Sequence, residues 1–534
     1  MKILGINGHV KSDSPQHDTS ACLVVDGKVI DNYEEERFDR KKHSDNFPEL
    51  SIKRIFKKNH LTINDIDILA GNFEEQDIIE AFPNIKKFPK VIYYNHHMGH
   101  ICDSFFQSGF KSAACLIVDG CGDNDESITL AHVKNNEIKI LKQYPLSMSL
   151  GILYTASIGY CNMGNFSEGK LMGLSSYGKP LNVDILKWNN ETKEIDTPYI
   201  KYSYEYIKNI AKNYSNDLVK LIENIMNDYF LKMIYPYSND KTNSLIHYIN
   251  FAATIQDNFN KIYLELAKYL KELTGEENLI LSGGCIQNCV GNNIIVESGL
   301  FKNVFAGPAP HDAGTAAGYA LYAAHMAGEN IDNKRLRTSY RNDYYKSPMF
   351  GKKYNQLELA EQLKNNKVLL WYQNGSEIGP RALGHRSILA NPSERYMFNI
   401  LNDKIKFREN YRPLAPIVPA ELFDLIFDVK SYDLTEFMLR TIPIKEEWRL
   451  KLPVICHIDG TTRPQRLVKN DNPELYNLIM NFYEITGIPC LVNTSMNIKG
   501  QPIVETPKEA MDFYKSNDYI DTVIYNAEKY FTKG

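Results

Sequence analysis

What the sequence lacks narrows it first. No apolar run approaches the ~20 residues that a membrane-crossing helix needs. The opening Met1-Lys2-Ile3-Leu4-Gly5-Ile6-Asn7-Gly8 turns polar at once. It has neither the apolar stretch nor the cleavage signal of a secretory leader, so a cytoplasmic location is expected. Positive charge is not in excess: 61 Lys plus Arg against 65 Asp plus Glu give a net charge of −4. That balance argues against a general nucleic-acid or membrane-surface binder, which would be basic. Cysteine is sparse, with nine residues in 534. They are odd in number and scattered through apolar contexts such as Ala114-Cys115-Leu116, which reads as reduced thiols rather than a disulfide framework. Cys285 and Cys289 are the closest pair, but no second Cys/His pair follows nearby, so zinc is not expected there.

What is present is ordinary for a globular protein: 43% hydrophobic and 24% charged residues, in a chain long enough for several domains. Lys2 to Ile6 alternates like a strand. Asp18 to Ile30 reads as a β-hairpin turning at Asp26-Gly27, a pair that accepts positive φ at little cost. The pattern returns about a hundred residues later. A strand over Ala113–Val118 runs into Asp119-Gly120-Cys121-Gly122-Asp123, and a hairpin over 127–141 turns at Asn135-Asn136. Both units have an aspartate, Asp18 or Asp125, just ahead of the hairpin, which suggests an internal duplication.

Residues 203–274 have the Leu and Ile spacing of helices. Asn278–Leu281 is a strand entering Ser282-Gly283-Gly284, and Asn303–Ala306 is another, followed by a helix over Asp312–Met326. Strand, glycine loop and helix in that order mark an α/β domain. Residues 327–352 are polar and aperiodic and look like a linker. A second α/β unit begins near Tyr354, with a helix at Gln356–Lys364, a strand at Val368–Tyr372 and a last strand at Asp521–Tyr525.

Several stretches carry chemistry. In His96-His97-Met98-Gly99-His100, a helix would project His96 and His100 from one face, where two imidazoles can grip one metal ion. Asp119 and Asp312, at strand and helix ends, would complete a mixed N/O shell suited to Fe(II), Mn or Zn. A plain core histidine cluster would look the same in sequence. Ser282-Gly283-Gly284 and Asp119-Gly120 follow strands, where backbone N–H groups can approach a phosphate or form only a tight turn. Arg381, Arg386, Lys406, Arg408, Arg412 and Arg463 sit among small residues, which points to a shared site for a compact anion.

Together these motifs resemble the ATP-dependent O-carbamoyltransferases that decorate nodulation factors, cephamycins and aminoglycosides such as tobramycin. The likeness spans nearly the whole chain. It rests on His17-Asp18-Thr19-Ser20-Ala21, His96-His97-Met98-Gly99-His100, Val118-Asp119-Gly120, Glu168-Gly169-Lys170-Leu171-Met172-Gly173-Leu174, Ser282-Gly283-Gly284, Asp312-Ala313-Gly314, Gly379-Pro380-Arg381-Ala382-Leu383-Gly384, Arg412-Pro413-Leu414-Ala415-Pro416 and Asn493-Thr494-Ser495.

The resemblance implies an actin/sugar-kinase-like domain over residues 1–345, similar to threonylcarbamoyl transferases, and a YrdC-like α/β domain over 353–534. It implies that carbamoyl phosphate and ATP, with Mg²⁺, give carbamoyl-adenylate in the second domain, and that a small-molecule hydroxyl attacks it in the first. It assigns His96, His100, Asp119 and Asp312 to the metal, typically iron, and His17, with Asp18, to catalysis. Gly120, Glu168, Lys170, Ser282, Gly283, Gly284 and Asn288 fall at the nucleotide site. Arg381, Arg386, Lys406, Arg408, Arg412, Arg463, Asn493 and Ser495 fall at the carbamoyl phosphate and adenylate pocket. The sequence departs from the family at Asn374-Gly375, where Gly-Arg is common, so one positive charge is missing. A tRNA threonylcarbamoyl-modifying enzyme would share both folds, but the acidic balance counts against it. Oligomeric state and the identity of the acceptor have no signature in the sequence.

Overall fold

The structure, a computed structural model, describes residues 1–8, 17–161, 163–196, 245–341 and 343–533. Its first sheet is built on β1 (Lys2–Asn7), whose Ile3, Leu4 and Ile6 are fully buried. β2 (Ser20–Val25) and β3 (Lys28–Glu34) form the expected hairpin. Asp26 and Gly27 both take positive φ (49° and 74°) to turn it. β4 (Ile68–Asn72) and β5 (Lys90–Tyr93) complete the order β3-β2-β1-β4-β5.

The second sheet repeats the first. β6 (Ser112–Val118), β7 (Glu126–Lys134) and β8 (Glu137–Pro145) are antiparallel neighbours. A small hairpin follows, β9 (Lys187–Asn189) and β10 (Glu194–Asp196), and then β11 (Asn278–Ser282) and β12 (Asn303–Phe305) join parallel to β6. The order β8-β7-β6-β11-β12 matches the first sheet strand for strand, including the two parallel pairings. Asp18 and Asp125 also match, since both hold left-handed backbone (φ 55° and 62°). The duplication suggested by sequence is therefore present in the topology.

Each unit ends in a helix, His96–Phe106 after β5 and Thr315–Met326 after β12, and the two helices lie against each other. The approach is close enough to require glycine. A Cβ on Gly318 would stand 1.9 Å from the Gly99 carbonyl oxygen. This packing sets the start of both helices side by side. The helical expectation over 203–274 is met by Leu245–Thr274, where Phe251, Ile255, Phe259, Ile262, Leu266 and Leu270 are buried at helical spacing. Residues 203–244 lie outside the described residues.

A third, eight-stranded sheet contains β13 (Lys352–Lys353), β14 (Leu369–Tyr372), β15 (Arg386–Ala390), β16 (Ala415–Pro419), β19 (Gln465–Leu467), β20 (Leu491–Ser495), β21 (Thr522–Tyr525) and β22 (Lys529–Thr532). Their order is β13-β22-β21-β14-β15-β20-β16-β19. β17 (Ile442–Pro443) and β18 (Thr461–Thr462) pair separately. Both faces of the large sheet are buried, by Leu370, Ile388 and Val492 on one side and Trp371, Leu389 and Leu491 on the other. The α/β class expected from sequence is what the structure has.

Two expectations need correction. The strand at 521–525 is not the last, because the chain turns at Asn526-Ala527, both at positive φ, into β22. The polar stretch 327–352 is not a loose linker. Arg341 is buried against Glu505 (2.6 Å), and Asp343 accepts the Tyr33 hydroxyl (2.7 Å) and pairs with Arg54 (3.2 Å) and Lys58 (3.1 Å). Part of its polarity, at Arg341 and Asp343, serves buried ion pairs rather than solvent. All nine cysteines are free thiols. Among the described residues, no helix is long and apolar enough to cross a membrane.

Candidate active site

The His96 helix opens at Asn95, whose side chain accepts from the His97 backbone N–H, so the imidazoles emerge in its first turns. His96 Nε2 and His100 Nε2 are 3.1 Å apart. Asp119, just after β6, places Oδ2 3.2 Å from His96 Nε2 and 3.7 Å from His100 Nε2. Asp312, at the start of the opposing helix, places Oδ1 at 3.4 and 3.6 Å from the same atoms. All four residues are buried or nearly so. Burial pushes the two carboxylates toward neutrality, but the imidazoles more than offset it and hold both below the usual carboxylate range. The carboxylates in turn outweigh burial at His96 and His100 and raise them.

This set fits a divalent cation. Donors bonded at ~2.1 Å around one ion stand roughly 3.0–3.4 Å from their neighbours, close to the spacing found here. The supporting contacts fit too. Ser282 Oγ lies 3.3 Å from His100 Nδ1, leaving Nε2 to face the cluster, and the Gly284 N–H donates to Asp119 Oδ1 (2.8 Å). The middle histidine is different. Burial pushes His97 down to about 3, and its Nδ1 meets Thr129 Oγ1 at 2.7 Å, so it is a neutral packing residue.

Beside the cluster stands His17. Its Nδ1 is 2.8 Å from Asp18 Oδ2 and 3.9 Å from Asp312 Oδ2. The other oxygen of Asp18 meets His43 Nδ1 at 2.9 Å. Asp18 therefore holds two imidazoles and leaves Nε2 of His17 free to exchange a proton. Burial opposes charge on His17, but Asp18 and Asp312 push its pKa up to about 10.

The second constellation is cationic. Arg381, Arg408, Arg412 and Arg463 gather at one end of the large sheet. Among the described residues no carboxylate lies within ion-pair distance of Arg381, Arg408 or Arg463, and Nε of Arg381 and of Arg463 is buried without a partner. Burial, then repulsion from Arg463 and Arg412, pushes Arg381 down to about 9, and burial with Arg412 and Arg463 does the same to Arg408. Lys406 is held well below the lysine range by burial and by Arg408 and Lys42. Crowded cations without counter-charges are what an anion pocket looks like before its ligand arrives. Glu409 lies at its edge, 3.8 Å from Arg412 and 3.7 Å from Lys170. That contact joins the pocket to the helix Glu168–Ser175 of the N-terminal half.

Family comparisons meet this geometry. The family model described as the carbamoyltransferase N-terminus matches residues 76–321, and the one described as the carbamoyltransferase C-terminus matches residues 360–529. Nodulation protein NolNO of Sinorhizobium fredii is 30% identical, over 95% of this chain and 78% of that protein. The chain belongs to the carbamoyltransferase family. Nodulation protein NolO of Bradyrhizobium diazoefficiens is also 30% identical, over 80% of this chain and 77% of its own length. Nodulation protein U of Rhizobium tropici is 26% identical over 91% and 90%. Among solved structures, full-length HypF in its phosphate- and nucleotide-bound form aligns at a TM-score of 0.36 and 14% identity, over 60% of this chain and 56% of that one. That likeness is distant and bears on no residue.

The carbamoyltransferase does not bring every expected residue to a ligand-facing position. Arg386 is fully buried and donates to the carbonyls of Gln373, Asn374, His385 and Glu505, with its guanidinium 3.7 Å over the Tyr372 ring. Its Nη1 and Nη2 groups pin the strand ends together, while its Nε is buried without a partner. Asn288 caps the helix Cys289–Glu297 and hydrogen-bonds Gln256. Ser282 and Gly284 brace the metal-type ligands. Gly283, at φ 100°, would drive a Cβ to 2.3 Å from the Val118 carbonyl oxygen, so the Gly-Gly turn is required by packing. Gly120 does face open space. Glu168 and Lys170 begin their helix near the pocket edge. Ser495 meets Lys406 Nζ at 3.1 Å, while Asn493 donates to the Ala382 carbonyl (3.0 Å) and to Gln465 (2.9 Å).

The departure at Asn374-Gly375 has a local reason. A Cβ on Gly375 would sit 2.3 Å from the Arg341 carbonyl oxygen, so this backbone has no room for a side chain there. Sequence reasoning missed His43 and Glu36, which meet Asp18, and the place of Glu409 at the pocket edge. His43 and Glu36 lie in the charged run after β3. Their only sequence signal is that run, because their meeting with Asp18 is tertiary.

Proposed function

We propose that this carbamoyltransferase forms carbamoyl-adenylate from carbamoyl phosphate and ATP among the arginines, and passes the carbamoyl group to a small-molecule hydroxyl beside the imidazole–carboxylate cluster. One observation carries the reading. A pocket in which Arg381, Arg408 and Arg463 have no carboxylate within ion-pair distance among the described residues, and a carboxylate-rich cluster suited to a cation, sit in one chain, and the Lys170–Glu409–Arg412 contact ties the pocket's edge to the N-terminal half.

Carbamoyl phosphate and the ATP phosphates repel each other. Arg381, Arg408, Arg412 and Arg463, with Mg²⁺ accompanying ATP, offset that repulsion, and guanidinium groups suit two-pronged phosphate contact. Water cleaves carbamoyl phosphate to carbamate and inorganic phosphate, and the carbamate oxygen then attacks the α-phosphorus of ATP as pyrophosphate leaves. In the second site, His96, His100, Asp119 and Asp312 would hold the divalent cation, iron or another. When bound, it would offset the carboxylates that keep His17 protonated and would polarise the carbonyl whose carbon is attacked. His17, oriented by Asp18, takes the hydroxyl proton from the acceptor. The acceptor oxygen bonds to the carbonyl carbon, and AMP leaves with the electron pair. A closed passage between the two sites would limit loss of the activated carbamate to water.

The test is mass spectrometry of the purified enzyme with carbamoyl phosphate, ATP and a panel of alcohols. The proposal expects an acceptor product heavier by one HNCO unit, with AMP and pyrophosphate formed in step. ADP in place of AMP would overturn the adenylate route.

A further inference from the structure

Arg37 belongs to the N-terminal half, yet it grips the loop that carries Arg381. It lies in the short helix Glu36–Asp39 after β3 and is buried. Its Nε donates to Glu34 Oε2 (2.9 Å), and its Nη2 crosses to the C-terminal half and donates to the Gly379 carbonyl (2.6 Å). Nη1 is buried without a partner, so those two contacts fix the guanidinium. Arg40, at the end of the same helix, donates to the carbonyls of Pro502 (3.0 Å) and Ile503 (2.8 Å).

The loop is fastened on both sides of Arg381. At its entry, Ile378 packs with Ala309 and Ala313, and a Cβ on Gly379 would stand 2.3 Å from the Pro308 carbonyl oxygen. At its exit, one oxygen of the buried Glu377 accepts the backbone N–H groups of Leu383 (2.7 Å), His385 (2.7 Å) and Arg386 (3.1 Å). Arg381 stands between these fastenings with its Nε buried and unpartnered. A binding group fixed beforehand loses less freedom when its ligand arrives than one on a loose loop. Arg37 is not itself an anion ligand, because it is buried and paired with Glu34. Its contact with Gly379 holds the entry of the loop instead.

We infer that Arg37 is a positioning residue for the anion pocket. From the N-terminal half it sets the Gly379–Gly384 loop for binding of carbamoyl phosphate, so the pocket is complete only when the two halves are docked. The inference rests on the reading that the arginine pocket takes carbamoyl phosphate.

Isothermal titration of the full-length enzyme with carbamoyl phosphate tests it, with thermal unfolding alongside. Arg37→Lys keeps the charge but lacks the planar fork that reaches Glu34 and Gly379 together. Its Kd should rise at least ~10-fold, since misplacing a group by ~1 Å can cost ~100-fold. Glu34→Gln breaks the same ion pair and spares the Gly379 contact. It should lower Tm and leave Kd within about twofold of wild type. A merely structural Arg37 would reduce the folded fraction, and so the binding stoichiometry, without moving Kd. Should Arg37→Lys fail to fold, Arg37→Gln, neutral and too short to reach Gly379, serves the same comparison. An unchanged Kd in the Arg37 variant, or an equal rise in Glu34→Gln, would overturn the inference. Arg381→Ala keeps the two readings apart. A rise in Arg381→Ala alone would sink the role of Arg37 and leave the pocket standing. A rise in the Arg37 variant alone would leave Arg37 holding the loop and sink the assignment of Arg381 to carbamoyl phosphate.

Discussion

Nε2 of His96 lies 3.4 Å from Oδ1 of Asp312, across the seam between helices that close the two copies of a repeated unit. Neither unit holds the cluster alone. The first supplies the imidazoles, and the second supplies Asp119 from its opening strand and Asp312 from its closing helix. A cation bound there would tie the halves together.

Metal removal should therefore loosen the fold as well as stop transfer. Chelation of the purified enzyme should lower Tm, because a ligand present at 100 times its Kd stabilises the folded state by about 2.7 kcal/mol. His96→Ala should lose the bound divalent cation by elemental analysis and show no Tm response to the chelator. A full complement of metal in His96→Ala would place the ion elsewhere.

Gly318→Ala tests the seam. Its Cβ would collide with the Gly99 carbonyl oxygen at 1.9 Å, so the helices must separate. Overpacking of this kind costs about 1–3 kcal/mol. Thermal unfolding should move down, and divalent-metal affinity should weaken at least tenfold because Asp312 moves away from His96. Unchanged affinity would show that the seam does not set the cluster.

The buried Arg341–Glu505 pair predicts a pH-dependent loss. Burial alone would raise the Glu505 pKa, but Arg341 and Arg386 outweigh it and hold it below the ordinary glutamate value. The carboxylate's contribution is therefore present above its unfolded pKa of ~4.3 and is lost as pH falls through the depressed folded value. Glu505→Gln should destabilise the protein by about 3–5 kcal/mol at pH 7, since it leaves Arg341 buried without its partner. The gap to wild type should shrink in denaturant titrations as pH drops below ~4. A gap independent of pH would assign the loss to packing.

Binding of carbamoyl phosphate should depend on Arg381 and Arg463, because among the described residues no carboxylate lies within ion-pair distance of either one. Isothermal titration should show at least a tenfold weaker Kd for Arg381→Ala and for Arg463→Ala. Arg386→Lys should instead lower Tm, because Arg386 holds four backbone carbonyls. A binding loss in Arg386→Lys with unchanged Tm would return that residue to the pocket.

The hairpins were legible because Asp26-Gly27 and Asn135-Asn136 state their turn in the chain itself. The His96, His100, Asp119 and Asp312 cluster was legible because the imidazoles sit one helical turn apart and the aspartates end regular elements. Roles set by tertiary contacts were not legible. Arg386 reads as a cation for a ligand, but its partners are carbonyls from three separate segments. Ser282 reads as part of a phosphate loop or a tight turn, and nothing local places its hydroxyl against His100. Polarity in 327–352 looks like solvation, and only packing shows that Arg341 and Asp343 are buried. His43 lies 25 positions from Asp18, and no local pattern predicts their hydrogen bond.

The division of labour between the two sites is tested most directly by ATP–pyrophosphate exchange in the presence of carbamoyl phosphate, measured on His96→Ala and Arg412→Ala side by side. Exchange should persist in His96→Ala, which has lost only transfer, and should fall at least a hundredfold in Arg412→Ala. Equal loss of exchange in both variants would contradict two separate sites.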